Sequence, residues 1–154
     1  MVVIMSVAVP ALAQGEEDAE TPEWAEEGRN SAGIFLGGAF RGDEVGLSIG
    51  ADYEYRVSRQ FGAGAVAEFT TGDIREGILG AGLAWHAWRE LKIIVAPGVE
   101  FELGDRPDKF IMRIGGDYGF PLKETGYEIK PAFYCDIADG EVTYVVGALF
   151  GRSF

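Results

Sequence analysis

Residues 141–154 read EVTYVVGALFGRSF. Val142, Tyr144, Val146, Ala148, Phe150 and Phe154 fall on one parity, and Thr143, Val145, Gly147, Leu149, Gly151 and Ser153 on the other. Side chains of a strand alternate between its two faces. This segment is therefore a strand with one continuous apolar face, one mixed small-residue face and an aromatic as its last residue.

The same period of two runs back to Asn30. Seven further strands are predicted, over about residues 32–40, 45–58, 61–70, 77–88, 91–103, 110–119 and 127–137. The second is the clearest, with Val45, Leu47, Ile49, Ala51, Tyr53, Tyr55 and Val57 alternating against Gly46, Ser48, Gly50, Asp52, Glu54, Arg56 and Ser58. Short turn-forming stretches separate the strands, such as Arg41-Gly42-Asp43-Glu44 and Ala138-Asp139-Gly140. The expected fold is all-β: an eight-stranded antiparallel up-and-down barrel with short turns, both termini on one side.

Which parity faces outward separates two classes of barrel. A soluble barrel fills its interior with the apolar parity, and a membrane barrel turns that parity to lipid. Here the apolar parity is continuous through all eight strands, while the other is rich in glycine, acids and bases. The aromatics fall in two bands. One rim collects Tyr53, Tyr55, Phe61, Trp85, Tyr118, Phe120, Tyr127 and Phe154; the other collects Phe40, Phe69, Phe101, Phe110 and Tyr144. Two belts with aliphatic residues between them are what a spanning barrel needs at its two interfaces. No segment approaches the roughly 20 apolar residues of a membrane helix, so a crossing has to be made by closed strands.

A C-terminal Phe closing an alternating strand resembles the assembly signal of bacterial outer-membrane β-barrels, carried here by Tyr144, Gly147, Phe150 and Phe154. Arg152 departs from that pattern, which usually has an apolar or aromatic residue there. The architecture from Gly33 to Phe154 is similar to the small OmpA- and OmpX-like barrels. That resemblance implies insertion by the barrel-assembly machinery, contact with outer-membrane lipid and a polar, salt-bridged interior.

The inward parity places Asp52, Glu54, Arg56, Glu68, Lys92, Glu100, Glu102, Arg113, Asp117, Glu128, Lys130 and Asp136 inside the barrel. An eight-stranded interior is just wide enough for side chains to fill it. Charges there have to be paired and hydrogen-bonded, so a network centred on Arg113 and Lys130 is expected. An ion or proton path through it is the functional variant of a plugged interior.

The N-terminus reads differently. Residues 2–13, VVIMSVAVPALA, form a short apolar run ending in Ala11-Leu12-Ala13. This is the pattern of a secretory signal cut after Ala13, with the basic start of such a signal missing. Residues 14–29 follow as an acidic, solvated leader, and residues 30–154 as the barrel. Seven of the 25 acidic residues lie between Glu16 and Glu27, leaving 18 against 13 bases, a charge of −5. Such a body has no basic stripe to suggest nucleic acid.

The motifs that could carry chemistry are incomplete. Gly62-Ala63-Gly64-Ala65-Val66-Ala67 spells a dinucleotide fingerprint, but a strand and a turn follow it where a helix is required. His86 is the only histidine; Ala87 and Trp88 follow it, and no serine is close in sequence. No second histidine accompanies it in a metal site. Arg41-Gly42-Asp43 spells an adhesion tripeptide that is also ordinary hairpin chemistry. Cys135 is the only cysteine, so no intrachain disulfide forms.

The sequence therefore points to a monomeric, non-enzymatic structural barrel of a Gram-negative outer membrane, without cofactor or metal and with both termini periplasmic. The alternatives are an exported soluble lipocalin-like barrel binding a small apolar ligand, and an outer-membrane lipid-modifying enzyme with His86 as base.

Overall fold

A computed structural model describes residues 28–88, 90–102, 108–123 and 125–154. The expected signal at residues 1–13 lies outside these residues, as does the expected acidic leader apart from Gly28 and Arg29. The strands are β1 (Asn30–Arg41), β2 (Glu44–Arg56), β3 (Phe61–Gly72), β4 (Glu76–Trp88), β5 (Leu91–Glu102), β6 (Lys109–Tyr118), β7 (Phe120–Leu122), β8 (Tyr127–Ala138) and β9 (Glu141–Ser153).

Strands β1 to β6 pair antiparallel in chain order, β6 pairs with β8, β8 with β9 and β9 with β1, so the sheet closes on itself. Closure leaves no edge to be satisfied. The short β7 pairs with β8 alone. It continues the line of β6 past Gly119, whose amide turns to donate to the Glu90 carbonyl at 2.9 Å. Pro121 and Leu122 thus continue a strand from Phe120 where the sequence suggests a turn from Pro121 to Gly126. The barrel is eight-stranded with one broken strand.

The hairpins follow from local chemistry. Between β8 and β9, Asp139 and Gly140 both have positive φ, 48° and 84°. A two-residue I′ turn needs that conformation, and Asp-Gly supplies it with little strain. Between β1 and β2, Gly42 takes the positive φ at the first central position.

The ladder is staggered. From Phe40 the register runs Tyr144, Cys135, Ile114, Val95, Leu83, Ala63 and Tyr55, and returns to β1 at Asn30, ten residues below Phe40. Such a shear tilts the strands against the barrel axis. It also brings inward side chains from distant ladder positions to one level.

The faces are inverted relative to a soluble protein. Leu83 is 68% exposed and Ile34 62%, and most of the other outward Leu, Ile, Val and Phe side chains are exposed with them. Arg113 is 1% exposed, and Glu68, Glu76, Glu100, Asp117 and Asp136 are also buried. Apolar side chains are normally the ones removed from water, and charged ones almost never are. This distribution is the one expected where lipid surrounds the barrel.

Candidate functional site: the barrel interior

The interior is stacked from the rim of the hairpin turns down to the rim of the chain termini. At the hairpin rim Arg41 ends β1 and points inward. Its guanidinium pairs with Glu76, lies 3.6 Å from Glu100 and donates to the Thr143 hydroxyl at 2.7 Å. Ile74, in the β3–β4 connection, folds into the mouth and packs with Phe35, Ala39, Tyr134, Val145 and Leu149. The Arg41 side chain is therefore committed to the lumen, and only Gly42 and Asp43 of the tripeptide are exposed at the turn.

The middle level belongs to Arg113. Its Nε and one terminal nitrogen donate to the two oxygens of Asp136 at 2.7 and 2.6 Å, and the other terminal nitrogen donates to Glu68 at 2.7 Å. Asp136 is its register partner on β8, whereas Glu68 sits on β3 across the lumen. The Arg113 guanidinium also lies 5.0 Å from the centre of the Tyr134 ring, which meets Phe35 at 6.0 Å. Ser48 and Thr70 share a 2.6 Å hydrogen bond nearby. A guanidinium desolvated this far is stable only with charged partners around it, and a fork to one carboxylate plus a bond to a second gives each of its three nitrogens an acceptor.

Below Arg113 lies a cavity of about 60 Å³, bordered by Glu68, Arg113, Lys92, Glu54, Tyr134 and the small wall residues near Gly82. Glu68 Oε1 is buried there without a protein partner. Room of this size with charged groups around it suits a few ordered waters.

The lower level is organised by Lys92. Its ammonium lies 3.2 Å from Asp117, 3.4 Å from Glu54 and 3.6 Å from Asp52. The other oxygen of Glu54 meets His86 Nε2 at 2.5 Å, and Arg56 approaches His86 Nδ1 at 3.1 Å. A guanidinium only donates, so Nδ1 accepts from it and Nε2 carries the proton given to Glu54. Both ring nitrogens are thus occupied. Ser31 and Ser153 line the same small chamber, of about 30 Å³, but no described hydroxyl bonds to His86. Lys130 and Glu128 pair at 3.0 Å beside it.

Of the twelve charged residues expected in the interior, the side chain of Glu102 lies outside the described residues; the other eleven are buried or half-buried, and each faces an opposite charge or a hydrogen-bond partner. They fall into separate levels. Arg113 gathers Glu68 and Asp136; Lys92 gathers Asp52, Glu54 and Asp117, with Arg56 attached through His86. Lys130 stays at the rim with Glu128, so Lys92 is the second hub where Lys130 is expected. Arg41, Glu76, Thr143 and Ile74 belong to the plug as well. The inward parity of Phe35 and Ala39, carried one step further along β1, reaches Arg41.

Of the four residues of the expected C-terminal signal, Tyr144, Gly147 and Phe150 lie on β9 and Phe154 follows its end; they form no cluster. Tyr144 stacks on Phe133 (6.1 Å) near the hairpin rim, and Phe150 stacks on Tyr127 (5.1 Å, 8°) toward the other. Gly147 faces Gly37 across the closing seam, where any Cβ would strike the Leu36 carbonyl and the tip of the Phe35 ring. Phe154 exchanges backbone hydrogen bonds with Asn30, at 2.8 and 3.0 Å, fastening the chain's end to the start of β1.

No family model and no curated protein matches the sequence. Solved structures do match in fold. The N-terminal β-barrel domain of Pseudomonas aeruginosa OprF superposes with a TM-score of 0.60 at 14% identity, covering 82% of this chain and 99% of that one. The de novo designed barrel TMB2.3 gives 0.57 at 15% identity, covering 82% and 97%. A further structure, described as de novo design of transmembrane beta-barrels, gives 0.53 at 13%, covering 80% and 96%. The described chain has the fold of the small eight-stranded transmembrane β-barrels.

Proposed function

We propose that this chain is a non-enzymatic outer-membrane protein that sits in a Gram-negative envelope as a closed barrel with its interior plugged. The observation that carries the reading is the inversion of faces: a belt of exposed Leu, Ile, Val and Phe surrounds a lumen of buried Arg, Lys, Asp and Glu. In water that belt would drive aggregation; in a bilayer it is the matching surface. Export through residues 1–13, insertion by the barrel-assembly machinery acting on β9, a monomeric state and periplasmic termini complete the proposal.

Several features support a plugged interior over a pore. The cavity below Arg113 and the chamber at the terminal rim are small, and side chains of three charged levels span the lumen. The occupied ring of His86 supports a role without catalysis, because a general base needs a free nitrogen within reach of its substrate. A soluble lipocalin-like barrel would need the Leu/Ile/Val parity inside.

Reconstitution tests this. The refolded protein is placed in planar bilayers, with folding verified by its heat-dependent gel mobility. A folded barrel that gives no conductance steps is the expected result; reproducible steps from the folded form would replace the plug with a channel.

A further inference from the structure

Arg152 is the residue that departs from the outer-membrane pattern of the last strand, and its surroundings are specific. It lies on the outer face, exposed, one pair from the end of the β1–β9 seam. Its guanidinium lies 5.6 Å from the centre of the Tyr127 ring, and Tyr127 in turn stacks on Phe150. The side chain runs toward the β7–β8 turn, where a Cβ on Gly126 would lie 3.8 Å from Nε. No described carboxylate pairs with it.

The ladder places Leu122, Tyr127, Arg152, Ala32 and Tyr53 in one row across the outer wall. Arg152 thus stands between two tyrosines, with tiny Ala32 leaving a notch on one side. The next outward row toward the middle of the barrel is Phe120, Ile129, Phe150 and Ile34, all exposed. A cation at the level of an aromatic girdle, with an apolar strip directly on its bilayer side, has the polarity profile of one phospholipid. Five N–H donors in a fork match a phosphate. The stem of an arginine at this depth extends to the interface, where phosphates are the acceptors at hand.

We propose that Arg152, with Tyr127 and the Ala32 notch, is a binding site for the phosphate of a phospholipid headgroup, one acyl chain lying along Phe150 and Ile34. The proposal rests on the membrane reading above.

The test uses full-length protein refolded into nanodiscs of phosphatidylglycerol and a phosphate-free galactosyl diacylglycerol in equal parts. Native mass spectrometry of the released barrel then counts the lipids retained. The wild type is expected to retain phosphatidylglycerol selectively, and Arg152→Gln to weaken that retention roughly tenfold, the scale of a lost charged hydrogen bond. Arg59→Gln, removing a cation from the β2–β3 turn at the same rim, should leave it unchanged. Ala32→Trp keeps Arg152 but fills the notch, and should lower retention should Arg152→Gln not fold. Wild-type retention in a folded Arg152→Gln, or equal losses in Arg152→Gln and Arg59→Gln, overturns the site. A wild type that shows no heat-dependent mobility in these discs overturns the membrane reading, and the site with it.

Discussion

Arg113 and Asp136, paired residues of β6 and β8, face each other through a two-bond fork of 2.7 and 2.6 Å with both side chains fully buried. Glu68 closes the third side from across the lumen at 2.7 Å. Removing one member of a buried ionic cluster leaves the others charged and unpartnered. Arg113→Met is therefore expected to destabilise the folded barrel by about 3–5 kcal/mol. Replacing all three, as Arg113→Met, Glu68→Leu and Asp136→Leu together, should return stability to within about 1 kcal/mol of wild type or above it. Urea unfolding in detergent or vesicles measures both, and an unfolding midpoint unmoved by Arg113→Met would remove the hub.

Gly147 and Gly37 face each other across the seam, and the tip of the Phe35 ring lies over both. A side chain at Gly147 meets backbone on one side and that ring on the other. Gly147→Val should cost about 1–3 kcal/mol, as overpacking does. Gly140→Ala meets no such clash, since nothing lies within 4 Å, and its penalty comes only from the positive φ of that turn. Comparing the unfolding midpoints of the two variants separates close packing from backbone strain.

Leu83 stands in the middle of the apolar belt, 68% exposed. In a bilayer Leu83→Arg should cost about 2–4 kcal/mol at the midplane, with little cost for an arginine near the rims. On the outside of a soluble barrel the same change would be close to neutral. The folded fraction of Leu83→Arg in vesicles of defined lipid, set against that of the wild type, measures the difference.

Phe154 holds Asn30 by two backbone hydrogen bonds and receives a third from the Asn30 side-chain amide at 3.3 Å. Deleting it removes these bonds where the barrel closes, together with the aromatic end of β9. The expected outcome in cells is a lower yield of heat-modifiable protein in the membrane fraction. An unchanged yield would show that neither the bonds nor the terminal ring assists assembly.

Much of this architecture is legible in the period of two. Alternation assigns every inward charge to the lumen, and the Asp139-Gly140 turn announces itself by composition. Height along the barrel axis is not legible. Parity says that Glu68 and Arg113 both point inward, but their meeting depends on the ten-residue stagger of the closed ladder, which no single strand encodes. For the same reason Lys92, and not Lys130, gathers Asp52, Glu54 and Asp117. Arg41 and Glu76 escape a reading by composition because Gly42 and the Asp73–Arg75 stretch make their surroundings look like turns. Each nevertheless continues the inward parity of its strand. His86 is identifiable as a lining residue from parity, but its two partners lie 30 or more positions away in β2.

The most direct test of the central claim is fractionation of cells expressing the chain, followed by gel mobility with and without boiling. A sarkosyl-insoluble protein whose mobility shifts on heating is expected, as for a closed barrel that survives detergent until boiled. A soluble periplasmic protein with no heat shift would contradict the claim, and would mean that the belt around Leu83 and Ile34 does not face lipid.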